Sequence, residues 1–494
     1  MSSSSLRRSV RDFGPSASVG LFAFLLAVST IDVPSIWVDE TATRIAVELD
    51  GDRFSDMLRE IDLVHGAYYS VLRAWATVAG TSIAALRLPS AVAIGLTASM
   101  VVVLGRRVRS TRVGVLGGIV LTLLPPVLYT GGDARPRALA CAAVTAACLA
   151  FVIATQESGG RARLAWTAHA ALGSLAVVLN VHDVLVIAAL GVTVLVSAAR
   201  RSVGRSTLVG WTTATAASAA IVVPFMCAAA GQVHQVGWIE RPEPVRLIAE
   251  VGVFQWFFTS IPAAIVGWGC VLVALTSPRR RGPGSVGART LLVPWLLLPT
   301  AVLVATLLTA HPMYHWRYPS MSLPALALLI ALGLDRLRPL VRWAVAAVLV
   351  VACVVSWTTE RFDAPRPDLR RAAQVIVAER SVRPGPAGIV YGPSVNRSED
   401  IRHDRPEAVR GLRDLTLLPA RQHGAGWFKD QRAQPDVIPR RSDGLRTVFY
   451  VGMAGSEEEA EVRAALDESG FDEVSTRTFR GGRVGTGVVT TFVR

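Results

Sequence analysis

Lysine is almost missing from this chain of 494 residues: Lys429 is the only one, and the other basic side chains are arginine. Cysteine is scarce too. Cys141, Cys148, Cys227, Cys270 and Cys353 all fall within apolar runs, where a free thiol behaves as a small hydrophobe, and this excludes a disulfide framework and a zinc-type ligand spacing. No internal repeat is present. What the chain has in abundance is apolar surface. Hydrophobic residues make up 51% of it and the mean hydropathy is +0.43, which places most of the chain in a bilayer.

The net charge of +14 does not read as a nucleic-acid footprint, because of where the arginines sit. The short segments 1–14, 105–113, 155–165, 199–208, 277–290 and 334–343 separate apolar runs and hold 19 Arg against Asp12, Glu157 and Asp335. This is a positive-inside signal. With each cytoplasmic end anchored on arginines, the pattern predicts about eleven transmembrane helices, near 15–36, 86–105, 112–130, 136–155, 164–181, 183–199, 206–228, 250–276, 289–310, 317–334 and 341–358. The first apolar run leads into an acidic pair rather than a small-residue cleavage site, so it reads as an uncleaved helix, not a signal peptide. With the N-terminus in the cytoplasm, where the basic loops place it, the odd count puts residues 361–494 outside, in a multi-pass protein of the plasma (inner) membrane.

The predicted organisation is a transmembrane domain over 1–360 and a soluble extracytoplasmic α/β domain over 361–494. The first outer loop, about 37–85, is long. Its second helix-like piece carries Tyr68, Val71, Leu72, Trp75 and Val78 as an apolar stripe that predicts a helix along the membrane surface. In the tail, "AGIVYG", "RTVFYVG" and "VGTGVVTTFVR" read as strands, and "SEEEAEVRAALDES" as a helix opened by a Ser456/Glu459 capping box. The tail shows no phosphate-binding glycine motif and no catalytic cluster, and reads as a packing or acceptor-docking module.

Asp39 and Glu40, in "SIWVDETATR", stand where the first apolar run ends. On the predicted topology they share one depth with Asp62, His65, Asp133, Arg135, His182, Asp183, His311, Tyr314, His315, Arg317 and Tyr318. Such a layer suits a site with carboxylates for proton abstraction and arginines for an anionic group. Arg317 opens a span on the side where arginine is disfavoured, which a phosphate partner would explain. His182 and His234 read as scaffolding, and Tyr68, Tyr69 and Trp316 as an interfacial aromatic belt.

"IDVPSIWVDETAT" and "DLVHGAYYSVLRAWATVAGTSIAALRLPSAVA" together resemble the first helix and first outer loop of GT-C membrane glycosyltransferases. The resemblance is to the protein mannosyltransferase and aminoarabinose transferase group (glycosyltransferase family 39-like), including its actinobacterial relatives. "YTGGDARPRAL" is similar to the group's segment at the outer start of the fourth helix, and "RYPSMSLPALALLIALGL" to its tenth-helix segment, so the resemblance covers about residues 20–360 in order. It implies a GT-C fold with Asp39 as catalytic base and Glu40 in support, Arg44 lying at helical spacing from Glu40. Arg317 and, more weakly, Arg135 would bind the donor phosphate, with Asp133, His65, Tyr318 and His315 around the substrate. The chain departs from the group's usual motif at Tyr129–Asp133 and has Arg137 where a tyrosine is usual, which leaves the sugar open.

Topology supplies a second line of reasoning about the donor. A site facing outside is beyond the reach of cytoplasmic nucleotide-sugars, so the expected donor is a polyprenyl phosphate sugar presented from membrane lipid. One base and no enzyme nucleophile imply single displacement with inversion, towards the hydroxyl of an extracytoplasmic glycan, lipoglycan or protein. Mannose is the sugar favoured by resemblance, with arabinofuranosyl or other cell-wall transfer as the alternative. A transporter or flippase of lipid-linked saccharides is the alternative of another class, and would show matched broken halves. Nothing in the sequence requires a metal or other cofactor, and no nucleic acid is expected.

Overall fold

The run "PALALLIALGL" after Pro319 has no polar face at all, and such a helix is stable only when covered on every side. In the computed structural model, which describes residues 3–276, 286–362, 366–392, 398–418, 424–428, 431–481 and 485–494, every residue from Leu323 to Leu334 is buried. Two compact units are present. The first contains residues 1–31, 62–68 and 87–359, and the second 32–61, 69–86 and 360–494.

The first unit is a helical bundle. Eight of its described helices are long and apolar enough to cross a membrane, or up to ten spans if each of two bent pairs counts as one, and Gly14–Val28 is a shorter apolar helix. These overlap the stretches read from the sequence, but their number falls short of the eleven expected, because Gly14–Val28 is too short to count as a span. The bends have local causes. Thr111–Leu123 ends because Pro125 and Pro126 offer no N–H and push Leu124 into extended backbone (ψ 123°), and Pro125–Gly131 departs at 68°. The second pair turns by 87° at Phe258, whose φ of 51° lies in the region a side chain normally avoids. Large apolar side chains such as Leu164, Leu195, Ile265 and Val351 remain exposed on the outer surface, as lipid contact requires and water would penalise. Small residues let the backbones meet. A Cβ on Gly333 would lie 2.0 Å from the Cys270 carbonyl oxygen, closer than any atoms can pack. The basic segment 277–290 falls largely outside the described residues, as does Lys429.

The second unit is a three-layer α/β structure. Its strands are β1 (Ala387–Tyr391), β2 (Arg413–Asp414), β3 (Thr447–Met453), β4 (Asp472–Arg480) and β5 (Thr486–Val493), in the order β2-β1-β3-β5-β4. β1 is parallel to β2 and β3, and β5 is antiparallel to β3 and β4. Alternation on β3 sends Phe449 and Val451 to one face, with Leu369 and Ile376 of helix Leu369–Val382, and Val448 and Tyr450 to the other, with Val462 and Leu466 of helix Glu457–Glu468. Ser456 caps the latter helix by accepting from the Glu459 N–H (3.2 Å), while the Glu459 carboxylate reaches back to the N–H of Gly455 (2.7 Å), one residue before the position a standard box uses.

This unit also takes in residues 32–61 and 69–86, so contacts keep the division near 360 read from the sequence but join most of the 37–85 segment to the tail. The reason is specific pairing. Ile36 and Ile83 belong to the core cluster of the tail's sheet, the Ile36 N–H donates to Asp404 (3.0 Å), and Leu369 N–H donates to Ser35 Oγ (3.1 Å). The loop forms helices Val38–Glu48, Gly51–Glu60 and Gly66–Ala79, one more than the sequence suggested. Tyr68, Tyr69 and Leu72 are fully buried while Val78 is 85% exposed, so the two tyrosines are core residues rather than an interfacial belt.

Candidate active site

Asp39 and Glu40 occupy the first turn of helix Val38–Glu48, where unpaired N–H groups and the helix dipole favour carboxylates. Consecutive helical residues point about 100° apart, and the two fates differ accordingly. Asp39 is partly exposed. Glu40 is fully buried and ion-paired with Arg366 at 3.3 Å, and Arg366 also donates to the Ser35 carbonyl (3.2 Å) and stacks over Trp37. Arg44, at helical spacing from Glu40, is instead engaged by Glu48 at 2.9 Å and by the His403 carbonyl. The far end of this helix is held by Arg73, which donates to the carbonyls of Ala46, Val47 and Leu49.

Within the helical unit the other candidates form three groups. His65 joins the first: its Nδ1 lies 2.7 Å from Asp62 and its Nε2 lies 3.0 Å from Arg135. Guanidinium only donates, so Nε2 is the acceptor and Nδ1–H donates to the Asp62 carboxylate, which fixes a neutral ring in one tautomer. Asp62 adopts a left-handed backbone (φ 66°), a conformation Asp tolerates better than most residues. Arg135 is buried here.

The second group is the pair Asp133 and Arg137. Asp133 is fully buried, and its carbonyl accepts from Ser90 Oγ (2.7 Å). Pro136 opens the helix that begins at Arg137, which brings the two side chains together four residues apart.

The third group is aromatic. His182 stacks on Tyr318 with ring centroids 4.5 Å apart, and His315 packs against Trp238, Trp316 and Tyr318. Asn180 donates to Asp183 (2.8 Å), leaving its oxygen to accept from His182 Nδ1 (3.2 Å). Arg317 reaches His315 Nδ1 through its Nε (3.3 Å) and lies over Trp316. Tyr314 donates to Gln255 (3.0 Å), and burial pushes its phenol up, so it stays a donor throughout the physiological range.

A small cleft brings Arg137 and Arg317 together with Tyr129, Thr130, Gln255, Trp316 and Ser320. Two guanidiniums and an aromatic wall suit a phosphate attached to an apolar chain. Arg137 is the residue sequence reasoning passed over. Its i,i+4 spacing from Asp133 was the available signal. Among the described residues no cluster of three or more His, Cys, Asp or Glu is placed to hold a metal ion.

No protein-family model and no curated protein sequence matches the chain. Solved structures do. ArnT from Cupriavidus metallidurans bound to undecaprenyl phosphate is similar at 13% identity and a TM-score of 0.56, over 96% of this chain and 97% of that one. The apo state of the same protein gives 13% identity, a TM-score of 0.54 and the same coverage. An oligosaccharyltransferase from Archaeoglobus fulgidus tethered with an acceptor peptide is similar at 10% identity and a TM-score of 0.49, over 88% of this chain and 68% of that one. At nearly full coverage of both chains, the likeness to ArnT establishes that this polytopic protein has the GT-C fold of membrane glycosyltransferases, completed by an α/β domain at its C-terminus.

Proposed function

We propose that the chain is an integral-membrane glycosyltransferase that moves one sugar from a polyprenyl phosphate donor to an extracytoplasmic hydroxyl, with inversion. The observation that carries this reading is the cleft holding Arg137 and Arg317 against aromatic rings, in a fold shared with a protein that binds undecaprenyl phosphate. Arg317 there, with the guanidinium of Arg137 held in place by Asp133, would stabilise negative charge on the departing lipid phosphate, which is the charge that grows as the anomeric bond breaks. Asp39 is the proposed general base, removing the proton of the attacking hydroxyl while its oxygen bonds to the anomeric carbon. Glu40 acts through position only, because its carboxylate is committed to Arg366. Arg135 is assigned to holding His65 in its tautomer rather than to the phosphate. Mannose is the preferred sugar on sequence resemblance, and a cytoplasmic N-terminus with an extracytoplasmic tail on the arginine pattern.

The test is reconstitution of the full chain in vesicles with a panel of radiolabelled polyprenyl phosphate sugars and a membrane-derived acceptor fraction. Transfer of label with release of polyprenyl phosphate is expected from one donor, and about 10²–10⁴-fold slower transfer from Asp39→Asn, which keeps the shape and cannot take the proton. Passage of an intact lipid-linked saccharide across the vesicle without bond cleavage would replace this reading with transport.

A further inference from the structure

The helical unit contains a second concavity unlike the cleft. It is an apolar groove of about 390 Å³, open along one side, between helices Thr111–Leu123 and Pro339–Phe362. Its floor includes the buried Val120, Leu349 and Cys353, and Trp343 and Arg112 stand at one end. Helix direction places it. Thr111 and Arg112 begin the helix whose continuation past Leu124 supplies Tyr129 and Thr130 to the cleft, and Leu334 of the groove lies at the opposite end of its segment from Ser320 of the cleft. The groove mouth and the cleft therefore open towards opposite faces of the membrane.

Length and charge identify an occupant. From Arg112 to Leu124 the wall rises about 18 Å at 1.5 Å per residue, close to half of a hydrocarbon core about 30 Å thick, so the groove matches one leaflet. Arg112 at the mouth is exposed and only loosely paired with Asp335 (3.7 Å), and Arg338, four residues after Leu334 of the groove, is exposed as well. We propose that the groove binds one acyl chain of an anionic glycerophospholipid, with the headgroup phosphate at Arg112. This lipid belongs to the leaflet opposite the cleft and is distinct from any donor, so the inference does not depend on the transferase reading. Trp343 beside the mouth is at the depth where an indole sits among headgroups.

The experiment is native mass spectrometry of the detergent-solubilised full chain with added phosphatidylglycerol, phosphatidylethanolamine or undecaprenyl phosphate. One retained phosphatidylglycerol is expected, held about fivefold more weakly by Arg112→Gln and displaced by Ala346→Trp, whose indole obstructs the groove partway along. Should Ala346→Trp fail to fold, phosphatidylglycerol bearing a photoreactive group at mid-chain is applied to the unaltered protein, and cross-links should map to residues 116–124 and 346–353. Cross-links scattered over all lipid-facing helices, retention of phosphatidylethanolamine equal to that of phosphatidylglycerol, or retention of undecaprenyl phosphate displaced by Ala346→Trp would each overturn the proposal.

Discussion

Removing the guanidinium of Arg366 should damage the protein through a residue 326 positions away. Glu40 is fully buried, and its partner lies at 3.3 Å with its own side chain only 10% exposed. At an effective dielectric constant near 20 the attraction is about 5 kcal/mol before desolvation is subtracted. Truncating one member of such a pair leaves a buried charge without compensation and typically costs about 3–5 kcal/mol. Arg366→Gln should therefore lower the stability of the α/β unit by about 3 kcal/mol, and Glu40→Gln alone by a similar amount. The double variant should lose much less than the sum, because two amides need no counter-charge. Protease resistance of the α/β unit against urea, measured for all four forms of the detergent-solubilised chain, gives the coupling energy as a double-mutant cycle. A coupling below about 0.5 kcal/mol would refute the reasoning and mean that the pair behaves as an exposed ion pair. The same cycle separates structure from chemistry: the double variant should regain stability and, with Asp39 intact, regain part of its sugar transfer.

Arg317→Gln should chiefly raise the lipid-donor concentration needed for half-maximal transfer, and Arg137→Gln should do the same while also leaving Asp133 buried without its cation, so that only Arg137→Gln lowers thermal stability. Gly333→Val should destabilise the bundle by at least about 1–3 kcal/mol, read as a lower midpoint in a thiol-reactive thermal melt, because its side chain meets the Cys270 backbone. A reporter active only in the cytoplasm, fused after Arg494, should be silent, and strong activity there would overturn the orientation and the donor reasoning with it.

The spans were legible because hydropathy and arginine position act locally: a run of about 20 apolar residues has few places to go except a bilayer. The strands β1, β3 and β5 and the capped helix Glu457–Glu468 were legible for the same reason, since each carries its own alternation or cap. β4 was not, because most of its residues are exposed and polar, and its pairing with β5 is what makes it a strand. Arg366 could not be connected with Glu40 by any pattern, since ion pairs across hundreds of residues leave no periodic trace. Arg44 was the natural candidate by spacing, and Glu48 competes for it at the same spacing on the other side. Asp133 and Arg135 were read as neighbours in one motif, yet the helix start at Arg137 turns them to different partners, Arg137 and His65.

The interleaving of residues 32–61 and 69–86 with the tail has a consequence for synthesis. Ile36 binds Asp404, 368 residues later in the chain, and at about 5–20 residues per second the ribosome needs roughly 20–70 s to make that distance. Through this interval the bundle helices are already entering the membrane, while Glu40 lacks Arg366 and Ile36 lacks its cluster. The segment around Asp39 is thus completed last although it is made first. A chain that stops short of residue 366 therefore leaves Glu40 without Arg366 and Ile36 without Asp404, so this region is assembled only after the tail has been made.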